Sequence, residues 1–481
     1  MFKYKFQLLF CLVTGLLSNI SAQPAADIII TNGTIINIET GRLEKGKAIV
    51  LKNGKIKAVI NQPKIKMLKN YVTINAAGKF IMPGLWDMHV HFGGGDTLLE
   101  ENKNLLPLYI ANGITAVRDA AADISPAVLE WRRQVNEGIL TGPTIFTSGP
   151  KIEGINSIWI GDLEVGSVEE MKKAMDSLQQ LKVDFIKITD NTLRPSLYLE
   201  TVKEARKRGL PVSGHIPYAL TMKEVVDAGL SSVEHMAYAL KAGAANDEEI
   251  AAAVLSGKLA NKEVMPLVLK NFDEAYAMKV YRYMAQKGTA VVPTLSISRI
   301  TAYLDKEDHW QDDYLKYIGE GLKNTYHWRV QRAAGDSKEA VELRHQVFEK
   351  AASLLPLLHK AGVTIIAGTD AGYLNSFDYP GQGLHTELAL LVKYGLTPLQ
   401  ALQSSAINGP RYFGLQQTYG RVAGGYAADL LILDKNPLVD ISATQTIAAV
   451  FVKGKYFSRI VLDSMLTEIQ ARAATPVNRR K

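Results

Sequence analysis

Phe80-Ile81-Met82-Pro83-Gly84-Leu85-Trp86-Asp87-Met88-His89-Val90-His91 is the stretch on which the reading of this chain turns. An apolar run opens it, two histidines close it, and three glycines, Gly93 to Gly95, follow shortly after. In a strand, residues i and i+2 face the same side, so His89 and His91 aim their imidazoles into one pocket. Two imidazoles from one side begin a site for a divalent transition ion.

Outward from this point, residues 83–415 alternate short apolar strands with helical stretches. Eight strands are expected, ending near His91, Asp119, Ser148, Thr189, His215, His235, Ser296 and Asp370. Eight strand–helix units in this length predict an α/β fold, a (β/α)8 TIM barrel. Helices are expected at Val168 to Leu181, Tyr198 to Arg208, Thr221 to Ala228 and Thr397 to Ser405. Two long charged connections, Met236 to Gly288 and Arg299 to Ala361, follow strands six and seven. In a barrel they stand above the catalytic face as lids or substrate walls. There are no internal repeats and no low-complexity tracts.

β-rich segments bracket the barrel. Asn32-Gly33 and Asn53-Gly54 separate β-branched runs, a strong hairpin signal. The run Ala428 to Leu433, then Ile447 to Val452 and Lys453-Gly454-Lys455, repeats that grammar. Residues 23–82 and 416–460 are therefore expected to form one composite β-sandwich with the barrel inserted, and residues 461–481 a C-terminal tail. Residues 1–22 resemble a secretory signal: Lys3 and Lys5, an apolar stretch from Phe6 to Leu17, then small residues up to Ala22. The apolar stretch is short for a bilayer span, so a secreted or periplasmic protein without a stable membrane anchor is expected.

The chain has 481 residues, 47% hydrophobic and 21% charged, as in an ordinary globular protein large enough for a barrel and an accessory domain. Cys11, the one cysteine, lies within the signal stretch, so the core must supply stability without disulfides. The net charge of +7 is spread along the chain, apart from Arg479-Arg480-Lys481. Basic and aromatic residues are not interleaved as a nucleic-acid groove requires. The expected partner is a small-molecule substrate, with no nucleic acid, and homo-oligomerisation is left open.

The polar residues at later strand ends extend the histidine pair. Lys187 sits in the apolar run Phe185-Ile186-Lys187-Ile188, on the opposite face from Ile186 and Ile188, where a charge must be neutralised, paired or modified. His215 and His235 end the next two strands, and Asp370 ends the last, between small residues. Four imidazoles, a carboxylate and a lysine exceed what one tetrahedral ion requires. The surplus points to two divalent ions, expected to be zinc. Carbon dioxide would turn the neutral lysine amine into a carbamate, an anion able to bridge them.

The order HxH, Lys, His, His, Asp inside a split sandwich resembles the amidohydrolase superfamily. So do Ile81-Met82-Pro83-Gly84, Gly113 to Asp119 and Gly425 to Asp434. The resemblance is strongest to the imidazolonepropionase-like branch, which includes Xaa-Pro dipeptidases. It implies that His89, His91 and Asp370 hold one ion, His215 and His235 the other, and carbamylated Lys187 bridges them. It makes Asp370 the general acid and base for a bridging hydroxide. Tyr218 is a candidate for the developing oxyanion and His385 for substrate contact. Arg118 and Asp119 are expected as a buried pair supporting the metal shell, and His309, His327, His345 and His359 as surface residues. Met236 stands where many dipeptidase relatives have glycine.

The expected function is hydrolysis of an amide bond in a dipeptide such as Xaa-Pro, or in an N-acyl amino acid. One competing reading is a mononuclear cyclic-amide hydrolase or deaminase, against which Lys187 argues. Another is a non-enzymatic binding descendant, against which the complete ligand set argues.

Overall fold

A computed structural model describes residues 27–67 and 71–475. The stretch read as a signal, with Cys11, and the basic end Arg479-Arg480-Lys481 lie outside the described residues. The chain folds as an α/β protein whose central strands are all parallel, flanked by mixed and antiparallel strands from both ends of the chain.

One parallel sheet holds Leu85–His91, Ile114–Asp119, Thr144–Thr147 and the short Ala371–Gly372. A second holds Leu163–Val165, Ile152–Gly154, Ile186–Ile188, Val212–Gly214, Ser232–Glu234 and Ala290–Val292, in that spatial order. The expected single ladder is therefore interrupted at two places. The third strand breaks into two pieces, Thr144–Thr147 and Ile152–Gly154, which pair with different neighbours. The approach to Asp370 carries one bridge, Ile365 to Val291, before ladder pairing resumes at Ala371 opposite Val90. Both breaks lie where the chain turns toward the pocket.

Helices form close to where the sequence places them: Val168–Gln180, Pro195–Lys207, Met222–Ala228 and Pro398–Ala406. Thr221 and Thr397 each accept from the third helical amide while Glu224 and Gln400 reach back, so both starts are locked reciprocally. The expected seventh strand end at Ser296 is corrected. That strand stops at Val292, Thr294 adopts φ 47°, and Ser296 lies in the helix Leu295–Tyr303. Pro293 explains the stop, because it lacks a ladder N–H. The connection after strand six is four helices, Met236–Lys241, Asp247–Leu255, Asn261–Asn271 and Glu274–Lys287. The one after strand seven contains Glu320–Ala334, Lys338–Ala352 and Leu355–Ala361.

Outside the parallel sheets, Lys55–Asn61, Lys47–Lys52, Ile28–Thr31 and Val72–Asn75 form a four-stranded sheet. A six-stranded sheet mixes the two ends of the chain. Phe80–Pro83 pairs antiparallel with Leu430–Leu433 on one side and parallel with Thr34–Ile36 on the other. Ile30, Ile49, Leu51, Ile81, Leu430, Ile432 and Phe451 share one apolar core between these sheets. Asn53-Gly54 makes the expected hairpin. Asn32-Gly33 does not: its flanking strands enter different sheets, and a Cβ on Gly33 would meet Ile81 at 2.5 Å. The expected tail is also corrected, since Arg459–Ala473 is a helix. It buries Leu462 and Ile469, and Asn104 of the helix Leu99–Ala111 donates to the Ile469 carbonyl at 3.1 Å.

Candidate active site

Each imidazole of the expected set is fixed through one ring nitrogen, which leaves the other facing a common centre. His89 lies inside the strand Leu85–His91, and its Nδ1 is 2.7 Å from Glu234 Oε2. His91 Nδ1 is 3.1 Å from the Ala121 carbonyl, and His235 Nδ1 is 2.7 Å from Thr294 Oγ1. His215 Nδ1 is 3.5 Å from Asp190 Oδ1. The Nε2 atoms then converge. His91 Nε2 is 2.8 Å and His89 Nε2 3.3 Å from Asp370 Oδ1, and the Nε2 atoms of His215 and His235 are 3.0 Å apart. His89, His235 and Asp370 each offer a ligand atom within 4.8 Å of the others.

Electrostatics hold these groups in ligand form. Burial, reinforced by the Lys187 cation, pushes His89 down to about 3, and burial takes His235 down to about 3 as well. Burial, then Lys187, likewise holds His215 well below the usual imidazole range. Neutral rings keep a lone pair for a cation. Burial pushes Asp370 upward, but His89 and His91 beside it hold the carboxyl well below the usual range. Lys187 Nζ is fully buried without a hydrogen-bond partner, and burial brings its amine down to about 8.

The residues therefore fit a metal centre. Two imidazole nitrogens 3.0 Å apart repel unless a cation or proton lies between them. His89 Nε2 is buried with no hydrogen-bond partner, and so is Lys187 Nζ. The backbone is strained around the same centre: His235, Asp370, Ala121 and Thr294 all have positive φ. Gly372, at φ 116°, lets the chain pass so close to His91 that a Cβ would sit 2.1 Å from its carbonyl oxygen.

Sequence reasoning missed Glu234. It is fully buried and accepts from Arg118 Nη2 at 2.7 Å, from Ser213 and Ser232 Oγ at 2.6 Å each, and from His89. Burial pushes it upward, yet Arg118 and His89 hold it well below the usual range. A carboxylate on the far nitrogen of a ligating histidine sets its tautomer and orientation. Alternation gave a usable signal, because Ser232 and Glu234 must share the face opposite Val233. The expected Arg118–Asp119 pair is corrected accordingly. Arg118 serves Glu234 and the Met88 carbonyl, while Asp119 accepts from Thr147 Oγ1 at 2.7 Å. Asp87 accepts from Thr369 N and Oγ1 at 3.0 and 2.8 Å, fastening the residue before Asp370 to the strand of the histidine pair.

Lys187, His91, His215, His235 and Asp370 line a single cavity of about 160 Å³, with Trp159, Ile160, Arg329 and Tyr373 along its walls. Two expected site residues stand apart. His385 lies on the helix Gln382–Lys393, with Nδ1 2.9 Å from Thr444 Oγ1 and Nε2 2.9 Å from the Asn112 carbonyl. Both its nitrogens are occupied away from the cavity. Tyr218 packs on Tyr238, which stacks on His215, and it does not line the cavity. His327 and His359 lie exposed on outer helices as expected, but His345 is half-buried on its helix against Asp305, and His309 sits in a loop, half-buried against Asp312.

A parallel α/β scaffold presenting imidazoles and a carboxylate to one cavity defines a hydrolase with a candidate metal site. Residues 80–456 match the Amidohydrolase family, and the chain belongs to that family. It is a hydrolase acting on carbon–nitrogen amide bonds. Ochratoxinase from Aspergillus niger is 26% identical over 436 residues, covering 78% of this chain and 75% of that one. Among solved structures, a bottromycin amidohydrolase superposes with a TM-score of 0.71 at 18% identity, covering 95% and 92% of the two chains. A Xaa-Pro dipeptidase with bound methionine does so at 0.66 and 21% identity, covering 90% of this chain and all of that one.

Proposed function

We propose that the chain is an exported, binuclear metal-dependent amidohydrolase that cleaves a dipeptide such as Xaa-Pro or an N-acyl amino acid. The observation that carries this reading is the convergence of four Nε2 atoms and the Asp370 carboxylate around a buried, unpartnered Lys187 amine. The scaffold in this reading is a (β/α)8 barrel with a composite sandwich built from both chain ends. The strand order and the mixed sheet support it.

His89, His91 and Asp370 would hold one ion, His215 and His235 a second, and Lys187, as its carbamate, would lie between them. The donor set of imidazoles and oxygens suits zinc. When bound, such ions supply Lewis acidity and lower the pKa of a ligated water. Asp370 takes the proton of the attacking water and delivers it to the departing amine nitrogen. Glu234 keeps the His89 proton on Nδ1, and the lowered pKa of Lys187 supplies the neutral amine that adds carbon dioxide. The relatives named for Xaa-Pro dipeptides and ochratoxin support an amide substrate.

A mononuclear centre is the second reading, favoured by the close grouping of His89, His235 and Asp370 alone. Metal analysis of the purified protein, with carbon-13 NMR after exposure to labelled carbon dioxide, separates the two. Two ions per chain and a carbamate signal are expected. One ion with unmodified Lys187 supports the mononuclear centre. Chelation should abolish hydrolysis, and returning zinc should restore it. The exported form should begin near Gln23.

A further inference from the structure

The cavity wall carries a cation that the proposed chemistry does not use. Arg329 comes from the helix Glu320–Ala334, within the long connection after strand seven, and reaches the cavity that holds Lys187, His215, His235 and Asp370. Its guanidinium donates to the Leu374 carbonyl at 3.4 Å, to Thr301 Oγ1 at 3.5 Å and to Asn375 Oδ1. All three acceptors are neutral, and two lie at the far limit of a hydrogen bond. Of the arginines around it in sequence, Arg299 is paired with Glu307 and Arg344 with Asp336, while Arg332, three residues on, lies over the Trp328 ring. The other cation at the mouth, Lys151, is also matched, with Asp162 at 3.0 Å. The guanidinium carries five N–H groups, so it retains free donors for an incoming anion.

Its position is tied to the reacting centre. Asn375, which accepts from Arg329, donates its own amide to the carbonyl oxygen of Asp370. One side chain therefore separates the guanidinium from the residue expected to move the proton. In an N-acyl amino acid the carboxylate lies one Cα beyond the amide nitrogen, so a substrate of that kind would present both groups to the one cavity that Arg329 and Asp370 share. The wall also carries an apolar strip, Trp159, Ile160 and Tyr373, beside Asp123 and the Lys151–Asp162 pair, and Ile160 is 86% exposed.

We propose that Arg329 anchors the free α-carboxylate of the substrate and so selects N-acyl amino acids and dipeptides with an open carboxyl end, their apolar part lying along Trp159 and Ile160. This assignment rests on the amide hydrolysis proposed above. A planar guanidinium meets a carboxylate through two parallel hydrogen bonds, which an uncharged amide cannot reproduce.

The test uses the metal-loaded enzyme with N-acetyl-L-phenylalanine and its methylamide, which differ only in the carboxylate. The wild type should favour the acid by about 100-fold in kcat/KM. Arg329→Gln should lose about that factor on the acid, chiefly through KM, while leaving the methylamide unchanged. Arg329→Lys should recover part of the loss, which separates a lost charge from a lost fold. An equal loss on both probes, or a wild type indifferent to the carboxylate, overturns the assignment. Should the wild type cleave neither probe, calorimetric binding of N-acetyl-L-phenylalanine decides. Binding by the wild type and none by Arg329→Gln keeps the carboxylate anchor while the hydrolytic reading fails. Equal binding, or none by either protein, overturns the anchor.

Discussion

His89 and His385 are both buried histidines, 0% and 3% exposed, and burial drives both imidazoles down, to about 3 and about 4. They differ in what their nitrogens meet. His385 joins the Asn112 carbonyl to the Thr444 hydroxyl, so its polar capacity is spent between protein groups. His89 gives Nδ1 to Glu234 and leaves Nε2 without a hydrogen-bond partner, facing Asp370. In a folded protein a polar atom is seldom buried without a partner, and this unfilled one faces the other candidate ligand atoms of His235 and Asp370. Exposure alone cannot separate the two residues. Saturation can.

That contrast can be broken by substitution. The largest effect is expected at Asp370. Asp370→Asn keeps the shape but removes the proton acceptor, and should lower kcat about 1,000-fold in a hydrolysis assay. If activity stays near the wild-type rate, proton transfer runs elsewhere. Glu234→Gln is next, because the unfilled Nε2 of His89 depends on the proton being held at Nδ1. Metal affinity, read by competition with a chelator, should fall about 10- to 100-fold. Arg118 then loses its buried anion, so the melting temperature should fall as well.

His385→Ala should have the opposite profile. Losing a packed ring and stranding the Asn112 carbonyl costs about 3 kcal/mol in chemical denaturation. Turnover per folded molecule should not change, and a large loss of turnover would return His385 to the site.

Asp429 gives the smallest effect and sharpens the rule from another side. Its Oδ2 is buried and unpartnered, yet it stands at the start of the interior strand Leu430–Leu433 of the mixed sheet, far in sequence from any candidate ligand, where Oδ1 accepts from Lys453 N at 2.6 Å. Burial lifts its carboxyl to about 6. The folded state therefore binds the proton more tightly than the unfolded chain. The stabilisation is full below about 4 and is lost as pH rises through about 6, roughly 3 kcal/mol in all. Asp429→Asn should remove that decline: the variant matches the wild type at pH 4 and melts higher at pH 8. Parallel melting curves at every pH would show that the carboxyl is not strained by its burial.

Much of this arrangement was legible in the sequence, because strand ends and two-residue spacing are local. The His89 and His91 pair, the lone Lys187 in an apolar strand and the small residues around Asp370 each announce a buried polar position. The residues that orient the ligands were harder to see. Glu234 reads as an ordinary strand residue until Arg118 and Ser213, from other strands, join its neighbour Ser232 around it. Arg329 reads as one charge among many on a surface helix until Asn375 ties it to the loop of Asp370. The strand expected to end at Ser296 fails because Pro293 ends the ladder early, and the helix after Ser458 shows no clear apolar stripe, because Ile460 and Val461 face outward while Leu462 and Ile469 are buried. The Asn32-Gly33 turn shows the limit of a local signal: turn chemistry fixes the reversal but not which sheet receives the next strand.

The mixed sheet has a consequence for synthesis. Phe80–Pro83 lies between Thr34–Ile36, made early, and Leu430–Leu433, made some 350 residues later. During translation that strand waits with one edge bare until nearly the whole polypeptide has left the ribosome. Contacts this distant close slowly, and an unpaired edge invites another chain. A nascent chain halted before residue 430 should therefore be far more prone to aggregate than the finished one.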